Sequence, residues 1–92
     1  MRADGPSHPP EILWERRAVK ELRALPRRAR ERVVAAVEGL RADPLAGSVL
    51  SGEWRGLRRL RVGSYRVIYG FDGERILVTV LRVAHRRSVY RR

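Results

Sequence analysis

The stretch Leu57–Tyr69, "LRRLRVGSYRVIY", decides the fold because it holds two strand patterns separated by a turn. In the first pattern leucine and valine alternate with Arg59 and Arg61, the period of two that places neighbouring side chains on opposite faces of a sheet. Gly63-Ser64 supplies the turn, and a largely apolar run follows it. The sequence therefore predicts a hairpin with strands at 57–62 and 65–71, one face of which carries arginine.

A further strand is predicted at residues 75–83, after the pair Asp72-Gly73, which favours a tight hairpin turn. Short connections between consecutive strands make this part of the sheet antiparallel. Ile12–Trp14 could form a short first strand. From His85 onward we expect the chain to leave the sheet as a basic tail.

Helical spacing of apolar residues begins at Ala18 and continues with Leu22 and Leu25. Pro26 ends this helix or opens the next one. The second helix has one apolar face, made by Ala29, Val33, Val37 and Leu40. It ends at the "RADP" of residues 41–44, since the residue before proline disfavours helix. The predicted fold class is α+β, with two N-terminal helices packed on one face of a small, mainly antiparallel sheet.

The chain has 92 residues, which is room for a single domain. Residues 1–10 hold three prolines, one glycine and few apolar groups, and are predicted to be a flexible leader, followed by one domain at 11–92. Cysteine is absent, and no stretch has the pattern of a secretion signal or a membrane span. We expect a soluble protein of the cytoplasm. No metal site or cofactor is predicted, because His8 and His85 have no companion ligands nearby.

The formal net charge is +11, and all basic residues except Lys20 are arginine. Codon usage in a GC-rich genome would explain why lysine is scarce. It does not explain why acids are scarce as well where arginine is frequent: from Trp54 to the C-terminus, two acids stand against eleven arginines. This imbalance favours a polyanionic partner, because guanidinium groups match phosphate oxygens.

The alternation assigns the strand arginines to faces. Arg59 and Arg61 share one face, whereas Arg58 falls on the opposite side and is expected at the sheet edge or beside a bulge. Arg66 lies inside an apolar strand, where a charge needs a partner. That partner is either a polyanion or an acid of the helices, such as Glu21 or Glu38. In the first case, Arg59, Arg61 and Arg66 would line an open phosphate-binding face.

Four segments together resemble the RelE toxins of the RelE/ParE superfamily: "AVKELRALP" (18–26), "RADP" (41–44), "RLRVGSYRVIY" (59–69) and "VLRVAHRRSVY" (80–90). The resemblance extends over residues 12–92. It implies a RelE-like fold and a bacterial type II toxin that enters the ribosomal A site and cleaves mRNA there. It also implies a cognate, acidic, RelB-like antitoxin as the inhibitory partner.

The same resemblance implies roles for individual residues. Arg59 and Arg61, with Arg58 beside them, correspond to the strand residues that hold mRNA and 16S ribosomal RNA. Arg66 corresponds to the arginine at the scissile phosphate. The tail residues of the family site correspond to His85, Arg86 and Tyr90. Some relatives carry a glutamate before the sheet as general base, and this chain has no acid at that position.

RNA can be cleaved without a metal when its 2′-hydroxyl attacks the neighbouring phosphate. Arg66 and Arg86 could stabilise the charge that develops on the phosphate, but arginine cannot act as a base. His85 is the one neutral-pH proton carrier in the basic half of the chain. Tyr90 could bind the 2′-oxygen or stack on a base. Alternatively, His85 is exposed and idle, and Tyr90 packs against the sheet.

Three functional interpretations follow. The first is a metal-independent mRNA endonuclease acting on the ribosome. The second, within the same superfamily, is a ParE-like inhibitor of DNA gyrase, which needs no such set of arginine, histidine and tyrosine. The third is an RNA- or ribosome-binding module without catalytic activity.

Overall fold

Strand pairing sets the architecture of the computed structural model, which describes residues 8–85. The elements are β1 (Glu11–Trp14), α1 (Arg16–Arg23), α2 (Arg27–Glu38), β2 (Ser48–Val49), β3 (Arg58–Val62), β4 (Tyr65–Asp72) and β5 (Leu77–His85). One-turn 3-10 helices lie at Gly39–Arg41 and Gly52–Trp54. No helix in this part of the chain has the length and apolar character that crossing a bilayer requires.

The five strands form one sheet in the order β1-β5-β4-β3-β2. β1 runs parallel to β5, and every other neighbouring pair is antiparallel. β4 is therefore the central strand and β5 is paired on both sides, which explains their nearly continuous apolar sequence. The predicted α+β class, with a mainly antiparallel sheet, is confirmed.

The two hairpin turns differ in how well the sequence predicted them. Gly63-Ser64 forms the expected two-residue turn between Val62 and Tyr65, with Gly63 at φ 60°. The Asp72-Gly73 prediction of a tight turn is wrong, because Asp72 pairs with Leu77 and four residues lie between them. The Asp72 carboxylate accepts hydrogen bonds from the backbone N–H groups of residues 74 and 75 (2.9 and 3.2 Å), which widens the loop.

The last strand consequently starts two residues later than predicted and continues to His85, which was expected to lie in the tail. Its pairing with β4 contains a bulge: Ile68 faces Arg82, and Tyr69 faces Val80. Leu81 is therefore the extra residue, and side-chain alternation in β5 shifts at that point.

Both helices pack on one face of the sheet, as predicted. Pro26 caps α2 rather than interrupting a helix, which fits its fixed φ and missing N–H. The apolar face of α1 and α2 is buried through Ala18, Val33 and Val37, and Leu40 of the following 3-10 helix extends it. These residues meet the inward side chains of the sheet, chiefly Val62, Val67, Tyr69, Val78, Val80 and Val83. Pro10, in the segment expected to be a leader, is also buried, and its carbonyl accepts a hydrogen bond from Arg41 (3.0 Å).

The loop between the helices and β3 is anchored by Tyr69, which is fully buried. Its hydroxyl donates to the carbonyl of Pro44 (2.8 Å) and accepts from the N–H of Gly47 (2.9 Å). A side chain at Gly47 would clash, since its Cβ would lie 2.8 Å from the carbonyl oxygen of Arg59 and from the Tyr69 ring. These contacts create β2, a two-residue edge strand that the sequence did not predict.

Candidate nucleic-acid interface

The register of β3 and β4 places three arginines on the face of the sheet opposite the helices. Arg59 is paired with Ile68, and Arg61 is paired with Arg66. Directly opposed residues of an antiparallel pair share a face, so these side chains lie together, whereas Leu60 and Val67 point to the core. We call Arg59, Arg61 and Arg66 the arginine face. The predicted clustering of these three residues on one face is what the structure contains.

Two members of the arginine face are direct cross-strand neighbours. Such pairs have Cβ atoms about 4.5–5.5 Å apart, and like charges at this spacing destabilise a sheet. Arg61 is exposed and Arg66 is half-buried. One guanidinium nitrogen of Arg66 donates to the carbonyls of Tyr65 (3.1 Å) and Gly63 (3.4 Å), which draws the side chain toward the hairpin turn. The arrangement concentrates positive charge, and a bound anion would reduce the repulsion between the two arginines.

The helix acids considered as partners for Arg66 have contacts elsewhere. Glu21 binds Arg82 at 2.9 Å, and its second oxygen accepts the backbone N–H of Val83 (2.8 Å). Glu38 binds Arg41 at 2.7 Å, and this hydrogen bond lowers the pKa of Glu38. The sequence reasoning missed the Glu21–Arg82 pair, whose partners lie 61 positions apart.

Arg58 does not belong to the arginine face. It lies on the helix side of β3, at the edge that pairs with β2, and its guanidinium donates to the carbonyls of Gly47 (2.7 Å) and Leu45 (3.2 Å). This side chain therefore stabilises the loop that Tyr69 also anchors. The edge position was foreseen, but the grouping of Arg58 with the RNA-binding arginines does not fit its contacts.

His85 is likewise not brought onto the arginine face. It pairs with Tyr65, and the two rings meet edge to face with centroids 5.9 Å apart. The residue of β5 opposite Arg66 is Ala84. The bulge at Leu81 sets this alternation, and nothing in the sequence marks it. Arg86 and Tyr90, the other predicted tail residues, lie outside the described residues.

A cleft of about 430 Å³ opens between the start of α1, the loop before β3 and strand β5, and sequence reasoning did not find it. Its apolar walls are Trp54, Leu57 and Leu81, and Arg82 contributes charge. Leu57 packs against Gly70, where an added Cβ would approach its side chain to 3.2 Å. Over residues 8–85, His, Cys, Asp and Glu side chains form no group of three or more that could hold a metal ion.

Comparison with known proteins places this geometry in a family. A sequence model of the family described as "ParE toxin of type II toxin-antitoxin system, parDE" matches residues 12–90. Toxin RelG of Mycobacterium tuberculosis is 37% identical over 86 residues, which cover 91% of this chain and 99% of that protein.

Solved structures agree with the sequence match. A chain of the toxin–antitoxin complex RelBE2 from M. tuberculosis has a TM-score of 0.79 at 35% identity, covering 84% of this chain and 98% of that one. A chain of the archaeal RelE–RelB complex from Pyrococcus horikoshii has a TM-score of 0.72 at 26% identity, covering 87% and 98%. The RelE-like fold is confirmed, and the chain belongs to the RelE/ParE superfamily of type II toxin–antitoxin toxins.

Proposed function

We propose that this toxin inhibits translation by cleaving mRNA in the ribosomal A site, with the RNA backbone bound on the arginine face. The observation that carries the proposal is the direct opposition of Arg61 and Arg66 on a face that the helices leave uncovered. Such a pair costs stability in the isolated chain and gains from a bridging phosphate. In this assignment Arg59 and Arg61 position the strand, and Arg66 contacts the scissile phosphate.

The proposed reaction needs no metal. The ribose 2′-oxygen attacks the adjacent phosphorus, the bond from phosphorus to the 5′-oxygen breaks, and the products are a 2′,3′-cyclic phosphate and a free 5′-hydroxyl. One proton leaves the 2′-hydroxyl and another must reach the departing 5′-oxygen. Guanidinium groups stabilise the charge of the transition state, a role assigned to Arg66 and Arg86.

Proton transfer is assigned to His85, and contact with the ribose or base to Tyr90. Because His85 is the last residue of β5 and exposed, RNA bound on the arginine face would have to reach it around the end of the strand. The path of the RNA backbone is therefore tightly constrained, because it must contact both the arginine face and His85. The rate enhancement is therefore assigned mainly to orientation of the RNA, which can contribute up to about 7–11 kcal/mol in well-aligned reactions.

A cognate RelB-like antitoxin is the proposed inhibitor, by analogy with the toxin–antitoxin complexes among the structural relatives. An acidic segment of it would neutralise the arginine face and exclude RNA. The proposed ribosomal target requires the toxin to act in the cytoplasm.

Inhibition of DNA gyrase is the second candidate. It is favoured by the family description, which names a ParE toxin, and by the position of His85 away from the arginine face. A gyrase inhibitor would need no proton carrier.

Purified toxin added to translating ribosomes separates these candidates. We expect mRNA cuts at A-site codons by primer extension, and about a hundredfold fewer cuts with Arg66→Ala, because one donor to the transition state is lost. Cutting should be unchanged with Arg75→Ala, an exposed arginine in the β4–β5 loop. Intact mRNA with blocked gyrase supercoiling would instead establish the second candidate. Ribosome binding without cleavage would indicate a non-catalytic module.

A further inference from the structure

Helix α1 carries a row of cations that the proposed function does not use. Arg16, Lys20 and Arg23 follow one another at i, i+4 and i+7, so they share one side of the helix over about 10 Å of its axis. With Trp14 and Val19 they line an open cleft of about 420 Å³. This basic cleft is reached from the helix side of the sheet, because Trp14 is paired with the inward-facing Val80.

The three cations of the basic cleft have no carboxylate partner among residues 8–85. The acid within α1, Glu21, binds Arg17 (3.6 Å) and Arg82 (2.9 Å) instead. Glu15, just before the helix, lines the other cleft. All three cations are exposed. Within residues 8–85 no carboxylate offsets their mutual repulsion, and the site favours an extended anion.

The wall of the basic cleft is aromatic and aliphatic. Trp14 ends β1 and packs partly against the core, and the rest of its surface faces the cleft beside Val19. Cations arranged along an aromatic surface are what single-stranded nucleic acid requires, since phosphates take the charges and a base stacks on the ring. An acidic peptide would satisfy the cations and leave the indole without a stacking partner.

We infer that the basic cleft binds a second single-stranded RNA segment, with phosphates on Arg16, Lys20 and Arg23 and a base against Trp14. The arginine face lies on the opposite side of the sheet. The two surfaces would thus bind separate RNA segments. Such binding is possible on a target that presents RNA on more than one side of the toxin. The inference goes beyond the proposed cleavage activity and does not require it.

Fluorescence of Trp14 tests the inference directly. The chain has two tryptophans, so Trp54→Phe leaves Trp14 as the sole reporter. Titration with a ten-nucleotide oligoadenylate should quench it. The triple variant R16Q/K20Q/R23Q should lose the quenching, and the log–log salt dependence of binding should weaken by about 2, that is, three phosphates at about 0.7 each. R28Q/R55Q/R75Q removes the same charge elsewhere and should retain the quenching.

Three results would overturn the inference: no quenching by RNA, equal quenching in the triple variant, or quenching by oligoglutamate at lower concentration than by RNA. The last would assign the cleft to an acidic protein. Circular dichroism of each variant checks that it is folded. R61Q/R66Q should leave the Trp14 signal intact, so loss of mRNA cleavage and loss of this second site are separate observations.

Discussion

Replacing Tyr69 by phenylalanine tests whether one buried hydroxyl holds the loop that links the helices to the sheet. The hydroxyl makes two hydrogen bonds, to the carbonyl of Pro44 at 2.8 Å and from the N–H of Gly47 at 2.9 Å. Both backbone groups belong to buried residues. Tyr69→Phe leaves each without this partner, at about 1–3 kcal/mol per group. Exposed neighbours in the loop admit some water, so we expect a loss of about 2–4 kcal/mol.

Urea unfolding followed by circular dichroism measures this loss. For a chain of this size it corresponds to a decrease in melting temperature of about 10–20 °C. Tyr65→Phe is the matched control, because that hydroxyl makes no hydrogen bond within residues 8–85 and should change stability by less than about 0.5 kcal/mol. Equal stability of the Tyr69 variant and the wild type would refute the assignment.

The pH dependence provides a second measurement. Burial raises the pKa of the Tyr69 hydroxyl above its ordinary value of 10.0, against a smaller lowering by the hydrogen bond from Gly47. The folded chain then holds this proton more tightly than the unfolded chain does. The stabilisation is complete below about pH 10 and is lost as the pH rises further. The difference between wild type and Tyr69→Phe should therefore narrow above pH 10 and stay constant between pH 6 and 9.

Three other predictions have defined outcomes. Gly47→Ala should lower the free energy of unfolding in urea by about 1–3 kcal/mol, because the added Cβ would lie 2.8 Å from backbone. Gly39→Ala is the control and should be neutral or slightly stabilising, because Gly39 has open space around it. Equal effects of the two substitutions would contradict the close packing at Gly47. Glu21→Gln removes the charge that pairs with the nearly buried Arg82 and should cost about 2–4 kcal/mol, a value reduced for partial solvent access; a loss below 0.5 kcal/mol would show that the pair is dispensable. Arg61→Gln should raise the melting temperature in 20 mM NaCl by relieving like-charge repulsion, and the gain should vanish in 500 mM NaCl; a gain that persists in high salt would mean that repulsion is not its cause.

Local patterns in the sequence predicted most of the fold. Alternation around Gly63-Ser64 predicted the β3–β4 hairpin and the shared face of Arg59 and Arg61. It did so because a two-residue turn fixes the pairing register of the two strands that it joins. Helix spacing and Pro26 predicted the two helices and the break between them for the same reason, since each signal acts within a few residues.

The parts that the sequence did not predict depend on contacts between distant residues. β2 forms because Tyr69, which is distant in the sequence, binds the loop just before β2. A strand of two residues is also too short to show a periodic pattern in the sequence. The β4–β5 loop is wide because the Asp72 side chain competes with the turn that Asp-Gly favours. The face of His85 depends on the bulge at Leu81, which shifts every later side chain to the other side.

In strand β4, odd-numbered and even-numbered side chains lie on opposite faces of the sheet. Odd-numbered positions, Tyr65, Val67 and Tyr69, pack on the helix side of the sheet, whereas Arg66 and Ile68 lie on the other face, where Ile68 is itself fully buried and Arg66 is half-buried. The backbone that presents Arg66 is thereby braced through its neighbours rather than through Arg66 itself. Substitutions at accessible positions such as Arg66 could therefore change the target while the buried residues keep the chain folded. This is a physical route by which one small fold could serve toxins that act on unrelated targets.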